Sequence, residues 1–231
     1  MNTDFKPSQY QKDIFDFVQN GTGNGIIDAK AGSGKTSTIV KALEYIPNTA
    51  SVLFVAFNKS IAMELKERAP KNVKACTLNS FGYSLCMAHI KKYIKIDPDK
   101  TRTLLRFNIL QVKKGDKEAE TYLYTIQHAV KRIVSLLKAN YICKPQVKDV
   151  TDMMEAYDVS VKLKEDKLPM FYDHVIATFT LCVNTFNVMD FDDQIFLPVF
   201  HGWKFPKFDF VFIDEAQDLN KSQLELILKL A

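Results

Sequence analysis

The sequence has no long apolar run. Nowhere does it contain the roughly 18 uninterrupted apolar residues that a membrane-spanning helix needs. Its first residues, Met1 to Lys6, also lack the apolar centre of a signal peptide. We therefore expect a chain that neither spans a membrane nor is secreted.

Cysteine and histidine are scarce, with four of each. No two cysteines have Cys-x-x-Cys spacing, and the histidines are too scattered to form a metal-ligand set. We therefore expect reduced thiols in a reducing compartment, and no zinc site. The cysteines are Cys76, Cys86, Cys143 and Cys182.

Composition and length are those of an ordinary globular protein. The chain has 231 residues, of which 47% are hydrophobic and 25% charged. This is enough apolar material for one large domain or two small ones. Neither an internal repeat nor a low-complexity tract is apparent.

The net charge is only +4, but it is unevenly distributed. Residues 91–148 carry 14 Lys and Arg against five Asp and Glu, a net +9, which leaves −5 for the rest of the chain. A basic segment in a mildly acidic chain suggests a polyanion such as a nucleic-acid backbone. A solvated helical surface is the alternative.

The most informative stretch is the glycine-rich sequence AKAGSGKT at residues 29–36. It follows an apolar run, Gly25 to Asp28, that we predict to be a strand, and it precedes a helix-like run from Ser37 to Tyr45. Such a loop turns backbone N–H groups toward phosphate oxygens at a helix N-terminus. An ordinary glycine turn is the alternative. The predicted nucleotide-binding residues in this region are Ala31, Gly32, Ser33, Gly34, Lys35, Thr36 and Ser37.

Two side chains of this loop have predicted chemical roles. Lys35 can reach the β- and γ-phosphates of a nucleotide, and the Thr36 hydroxyl can bind Mg²⁺. Ala29 occupies the usual first glycine position of the pattern, so the loop has one less fully flexible residue.

The N-terminal residues Pro7 to Val18 predict an amphipathic helix capped by Ser8. Gln11 lies away from the apolar stripe of this helix. Its amide can donate and accept together, as reading an adenine edge requires. A solvated helix residue is the alternative.

Strands and helices then alternate. We predict strands at Ser51–Phe57 and Val73–Thr77, with a helix at Lys59–Arg68 that is capped by Asn58. No convincing strand occurs between residues 97 and 188, where we predict four helices. The pattern predicts an α/β fold with a parallel sheet and an all-helical insertion. The predicted helices of the insertion span residues 99–113, 117–140, 146–157 and 168–188.

The α/β pattern returns near the C-terminus. An apolar strand, Phe208 to Ile213, is followed directly by the sequence DEAQD at residues 214–218. Asp214 can hold Mg²⁺, and Glu215 can accept a proton from the attacking water. An acid-rich helix N-terminus is the alternative. The predicted catalytic residues are Lys35, Glu215 and Gln217, and the predicted metal ligands are Thr36 and Asp214.

Together these motifs resemble the N-terminal part of superfamily 1 helicases of the UvrD/Rep type, with similarity also to F-box DNA helicases. Gln11 matches the family's adenine-reading glutamine. Asn79 replaces the histidine of the Thr-x-His-Ser-Phe motif, and Ser37 replaces an arginine that lies against the adenine in many relatives. The matching stretches are residues 31–36 (motif I), 55–62 with Glu64 (motif Ia), 77–82 (Thr-x-His-Ser-Phe), 190–194 (Asp-Phe-x-Asp-Leu) and 214–218 (motif II).

The resemblance implies a RecA-like ATP-binding domain, incomplete at its C-terminus, in residues 1–90 and 189–231. It implies a helical 1B-like insertion in residues 91–188. The family's motif III strand and its second motor domain, which carries arginine fingers, would follow Ala231. The resemblance thus implies a fragment, or one part of a split protein, with little or no ATP hydrolysis alone.

Binding single-stranded DNA without sequence preference requires a basic groove and exposed aromatic rings. Phe57 and Thr77 are favoured because ligands of such sheets bind beyond the carboxyl ends of the strands. With 17 phenylalanines in the chain, most must lie in the core. The predicted DNA-binding residues are Phe57, Asn58, Lys59, Thr77, Asn79, Ser80 and Phe81.

The resulting hypothesis is the N-terminal ATP-binding half of an ATP-dependent DNA helicase or single-stranded DNA translocase that uses ATP and Mg²⁺. Its expected partners are single-stranded or forked DNA and a second motor domain. It would work in the cytoplasm, in a nucleus or at a nucleoid, in repair or recombination. The alternatives are an ATP-binding regulatory or assembly module, another P-loop enzyme such as a nucleotide kinase, and a nucleic-acid-binding module.

Overall fold

The computed structural model describes residues 6–30 and 32–230, and the chain folds into two compact units. The first unit combines the residues up to Thr77 with Lys207–Gln217. The second combines Leu78–Pro206 with Asp218–Leu230. The helices are α1 (Gln9–Asn20), α2 (Lys35–Ala42), α3 (Lys59–Arg68), α4 (Leu78–Ile90), α5 (Lys100–Leu104), α6 (Lys117–Ala139), α7 (Val147–Ala156), α8 (Leu168–Val183), α9 (Phe191–Phe200) and α10 (Lys221–Leu228). The strands are β1 (Val52–Ala56), β2 (Val73–Thr77), β3 (Lys95–Ile96), β4 (Val188–Met189) and β5 (Phe210–Ile213).

The first unit is built on a parallel three-stranded sheet in the order β2-β1-β5. Every residue of the central strand β1 is buried, as its continuous apolar sequence predicts. Ala56 pairs with Thr77 of β2, and Val55 pairs with Ile213 of β5. All three strands therefore end at the same edge of the sheet. The prediction of a mixed α/β chain with a parallel sheet is confirmed.

The strand predicted at Gly25–Asp28 is wrong, since this segment forms no regular structure. Ile26 is 96% exposed and Ile27 is 41% exposed, so their side chains are not packed as in a buried strand. Within the described residues, β5 pairs with β1 on one side only, and its four residues are half-buried. A strand needs a neighbour with which to exchange backbone hydrogen bonds, and the segment before the loop has none in this sheet.

The second unit is mostly helical, and its core lies among α4, α6, α8 and α9. The long helix α6 contributes ten buried residues, among them Ile126, Val130 and Ile133. The structure also contains a two-residue parallel pair between β3 and β4. The segment between residues 96 and 188 therefore begins and ends at one small β-bridge.

The helix predicted at residues 99–113 is interrupted. It consists of α5 followed by a π-helical turn at Leu105–Ile109, in which the Leu110 N–H donates to the Leu105 carbonyl at 2.9 Å. Helix α8 ends at Val183, earlier than predicted, because the chain then enters β4. In the part of the chain that the structure describes, no helix is both long and apolar enough to cross a bilayer.

Two buried lysines and two buried aspartates connect the helices of the second unit. Lys100 Nζ lies 2.6 Å from Asp193 Oδ2, and it also donates to the carbonyls of Cys182 and Thr185. Lys138 Nζ lies 2.9 Å from Asp190 Oδ2 and 2.8 Å from Asp193 Oδ1. We call Lys100, Lys138, Asp190 and Asp193 the ion cluster.

Burial alone would lower the pKa of Lys138, but the negative charges of Asp193 and Asp190 outweigh it and raise that pKa. Burial likewise opposes ionisation of Asp190, yet Lys138 holds the Asp190 pKa below its usual value. Lys138 and Asp190 are therefore both charged at neutral pH.

Candidate functional site

The glycine-rich loop has the backbone conformation that its glycines allow. Gly32 has φ of 77° and Gly34 has φ of 81°, and Gly34 is the residue that caps the start of α2. A Cβ at either position would meet no atom within 4 Å, so the left-handed backbone, rather than lack of space, demands glycine. Ala31 lies outside the described residues. Ser33 and Ser37 are exposed, and Thr36 is half-buried in the first turn of α2.

The predicted catalytic residues lie together. Lys35 Nζ lies 3.1 Å from Glu215 Oε1, with the two side chains 28% and 29% exposed. The side-chain amide of Gln217 donates to Glu215 Oε2. Glu215 has φ of 51°, so the strand end turns sharply and points this carboxylate at the loop lysine.

The Glu215 carboxyl has a pKa below the usual glutamate value. The hydrogen bond from Gln217 lowers it most, and the hydrogen bond from Lys35 adds to the effect. Glu215 is therefore ionised at neutral pH and can accept a proton.

Asp214 has a different environment from its neighbour Glu215. It is 7% exposed, and its backbone N–H donates to the Val55 carbonyl at 3.0 Å, which fixes it at the end of β5. Burial raises the Asp214 pKa, the charge of Glu215 raises it further, and Lys35 partly offsets both. Burial and the charge of Glu215 thus disfavour the ionised form of Asp214, and a bound cation would stabilise that form.

The described residues contain no group of three His, Cys, Asp or Glu side chains that could form an all-protein metal cage. Mg²⁺ does not require one, because it commonly binds through one or two carboxylates, substrate phosphates and water. Two oxygen donors are suited to this way of binding Mg²⁺. They are the hydroxyl of Thr36, a half-buried residue in the first turn of α2, and the carboxylate of Asp214, a buried residue at a strand end.

Gln11 is held by two hydrogen bonds. Its Oε1 accepts from the backbone N–H of Ser8 at 2.9 Å, which completes a capping box at the start of α1. Its Nε2 donates to Thr38 Oγ1 at 2.8 Å, in the helix that follows the glycine-rich loop. The predicted helix and its Ser8 cap are confirmed, and Gln11 is thereby brought to α2.

Four predicted DNA-binding residues lie at the carboxyl edge of the first unit's sheet. Phe57 directly follows β1 and is 60% exposed. Asn58 caps α3 by accepting from the Ile61 N–H at 2.9 Å, and Lys59 is exposed at the start of that helix. Thr77 ends β2 beside them, so this edge carries an exposed ring and a cation.

The other three predicted DNA-binding residues begin α4 in the second unit. Asn79 Nδ2 donates to the Phe191 carbonyl at 2.8 Å, and a Cβ on Gly82 would collide with the Gln194 carbonyl. Ser80 is exposed, whereas Phe81 is 1% exposed. The ring of Phe81 therefore belongs to the core and does not face solvent as a base-stacking ring must.

Phe191 is a candidate that the sequence reasoning missed. It opens α9 and is 56% exposed, within the Asp-Phe-x-Asp element that packs on α4. The sequence marks Asp190 as a capping residue, but it contains no signal that the ring next to the cap is exposed.

The basic segment is less exposed than its sequence indicates. Lys100 and Lys138 are buried in the ion cluster and add nothing to a surface potential. Arg106 hydrogen-bonds Glu120, and Lys131 lies 3.0 Å from Asp99. Part of the excess positive charge is therefore neutralised within the second unit.

Comparison with known proteins identifies one family. The model of the UvrD/REP helicase N-terminal domain matches residues 10–231. An ATP-dependent DNA helicase Rep of Buchnera aphidicola subsp. Acyrthosiphon pisum is 27% identical, over 93% of this chain and 34% of its own length. An ATP-dependent DNA helicase PcrA of Staphylococcus aureus is 23% identical, over 93% of this chain and 30% of its own length. The chain spans about a third of the length of these curated relatives.

Proposed function

Because the chain belongs to the UvrD/REP helicase N-terminal domain family, we propose that it is the ATP-binding portion of an ATP-dependent helicase that moves along single-stranded DNA. The observation that carries this proposal is the meeting of Lys35, Glu215 and Gln217 beside a left-handed glycine loop, at the carboxyl edge of a parallel sheet. Phosphate-binding loop enzymes use this combination of groups.

The triphosphate of ATP binds across residues 31–36, where the N-terminus of α2 and its backbone N–H groups attract anions. Lys35 then exchanges its partner Glu215 for phosphate oxygens, which frees that carboxylate for chemistry. Gln11 faces the adenine, and the exposed Ser37, which directly follows the loop, is a further proposed nucleotide contact.

Thr36 and Asp214 would hold Mg²⁺, and the raised pKa of Asp214 supports this assignment because a cation would relieve the cost of burying that charge. When bound, the ion neutralises charge on the phosphates. Glu215 accepts the proton of the attacking water, which it can do because its carboxylate is ionised at neutral pH. Gln217 orients Glu215 through their hydrogen bond.

Single-stranded DNA crosses the carboxyl edge of the sheet, with Phe57 stacking on a base and Lys59 near a phosphate. In the second unit, Asn79 and Ser80 are proposed contacts, and we add the exposed Phe191, whose carbonyl accepts a hydrogen bond from Asn79. Exposed aromatic rings with nearby cations give sequence-independent binding to single strands.

The complete motor needs further structure. The unpaired edge of β5, within the described residues, supports the proposal that another strand joins the sheet there and orders the segment before the loop. A second motor domain would close the nucleotide site and supply arginine fingers, which raise hydrolysis about 10³- to 10⁵-fold in related enzymes. Residues 1–90 and 189–231 would form the RecA-like domain, and residues 91–188 its 1B-like insertion.

The direct test is ATP hydrolysis by the 231-residue chain with and without oligo(dT), alongside Glu215→Gln and Lys35→Ala. We expect slow hydrolysis that oligo(dT) stimulates and that both variants abolish. Hydrolysis that neither variant reduces would refute the assignment of the site. Binding of oligo(dT) that is unaffected by every nucleotide would argue for a nucleic-acid-binding module instead.

A further inference from the structure

The side-chain amide of Gln11 is oriented from both ends. Its oxygen accepts from the Ser8 N–H at 2.9 Å, and its nitrogen donates to Thr38 Oγ1 at 2.8 Å. A backbone N–H can only donate, so the end of the amide that faces Ser8 must be the oxygen. The nitrogen is consequently the end that faces Thr38.

The Thr38 hydroxyl can only accept at that contact. Its own proton is donated to the Gly34 carbonyl at 2.9 Å, in the first turn of α2. Thr38 is 5% exposed, so water does not readily replace these bonds. The protein thus places a donor, the Ser8 N–H, at the oxygen end of the Gln11 amide. It places an acceptor, Thr38 Oγ1, at the nitrogen end.

We propose that Thr38 is a positioning residue that locks the Gln11 amide in one orientation, so that the base site accepts adenine and rejects guanine. This inference rests on the proposed function, because it assumes that the base of the nucleotide faces Gln11. It adds to that function a residue, Thr38, that orients the adenine-reading amide.

The locked amide retains one lone pair on Oε1 and one hydrogen on Nε2, because each atom uses half of its capacity. Adenine offers the matching edge, with a donor at its N6 amino group and an acceptor at N7. Guanine offers acceptors at both O6 and N7, so its O6 would face the lone pair of Oε1. One orientation of the amide therefore distinguishes the two bases.

Reversing the amide would be needed to bind guanine through O6, and both anchors oppose it. The Gln11 NH₂ group would then face the Ser8 N–H, donor against donor. The amide oxygen would face Thr38 Oγ1, whose proton is committed to Gly34. A free glutamine would have neither restraint, since it could turn its NH₂ group toward guanine O6 as readily as it turns its oxygen toward adenine N6.

The test compares affinities for mant-ATP, mant-GTP and inorganic tripolyphosphate, measured by fluorescence titration and competition with the 231-residue chain. The variants are Thr38→Val, which removes the acceptor for Gln11 together with the bond to the Gly34 carbonyl, and Thr38→Ser, which restores both. Thr125→Val is the matched control, because the Thr125 hydroxyl makes the same bond to the carbonyl four residues earlier, at 2.9 Å, in α6. Thermal melting confirms that each variant is folded.

We expect wild type to prefer ATP over GTP by about ten- to a hundredfold, the discrimination of a bidentate amide contact. Thr38→Val should reduce this ratio by about three- to tenfold, the effect of one hydrogen bond, without changing the affinity for tripolyphosphate. Thr38→Ser and Thr125→Val should keep the ratio of wild type.

An unchanged ratio in Thr38→Val would overturn the inference, as would an equal loss of affinity for all three ligands. A reduced ratio in Thr125→Val would also overturn it. These outcomes leave the proposed function standing as long as wild type binds tripolyphosphate more tightly than Lys35→Ala does. If those two bind it equally, the phosphate site itself is wrong and both proposals fail.

Discussion

Lys35 and Glu215 are 180 residues apart in the sequence, and their side chains meet at 3.1 Å. One ends a phosphate-type loop and the other follows the half-buried strand β5. The pair places a cation suited to phosphate and a carboxylate suited to activating water at one point of the first unit.

Glu215→Gln is expected to separate binding from hydrolysis. The amide cannot accept a proton from water, so hydrolysis should fall by about 10²- to 10⁴-fold. Lys35 would lose its charged partner and become available to the triphosphate, so ATP should bind at least as tightly as to wild type. Single-turnover hydrolysis and equilibrium binding measure the two effects, and weaker binding by Glu215→Gln would count against the competition between Glu215 and phosphate.

Gln217→Ala should raise the pKa of Glu215. The Gln217 hydrogen bond is the largest cause of the low value, and it stabilises the ionised form only. In wild type the carboxylate stays ionised as the pH falls to below the usual glutamate pKa; in Gln217→Ala it should protonate at higher pH. Carboxyl-carbon NMR titration measures the pKa of Glu215 directly. Identical titration curves for wild type and Gln217→Ala would show that Gln217 does not lower this pKa.

Lys138→Met should strongly destabilise the second unit. The change leaves Asp190 and Asp193 buried near one lysine instead of two, and breaking a buried ion pair typically costs about 3–5 kcal/mol of unfolding free energy. Lys131→Met is the matched control, because its pair with Asp99 is exposed to solvent, which screens it, and should contribute far less to stability. Urea unfolding measures the loss of unfolding free energy in both variants. Similar losses would mean that the ion cluster stabilises the second unit no more than an exposed ion pair does.

Phe57→Ala should weaken binding of oligo(dT) by about five- to a hundredfold, the usual contribution of one stacked base, without loss of stability. Tyr10→Ala is the control, since Tyr10 is an 83% exposed aromatic on α1.

Phe81→Ala should instead lower the unfolding free energy by about 3–5 kcal/mol, because its ring is buried. Fluorescence anisotropy and urea unfolding distinguish these roles, and unchanged DNA affinity in Phe57→Ala would remove it from the site.

Local patterns predicted the elements whose formation depends on nearby residues. The Ser8 and Asn58 caps, the buried strand β1 and the acids after β5 all follow from short sequence signals. The segment Gly25–Asp28 shows the limit of this reasoning, since an apolar run becomes a strand only where a neighbouring strand is available to pair with it.

Contacts between residues that are far apart in the chain could not be predicted from the sequence. Lys100 and Lys138 appear in the chain as members of a basic surface segment, yet both lie buried against aspartates that are 93 and 52 residues away. Charge counting has no means of telling a buried lysine from a solvated one. For the same reason, the contact between Gln11 and Thr38 could not be foreseen from the helix pattern of either residue.

The most direct test of the nucleotide site is equilibrium binding of ATP to the 231-residue chain and to Lys35→Ala, measured by isothermal titration calorimetry. We predict binding by wild type, and a loss of at least about tenfold in Lys35→Ala, because that lysine supplies a charge-assisted contact to the phosphates. Equal affinities would contradict this prediction, since the glycine-rich loop would then not be the nucleotide site.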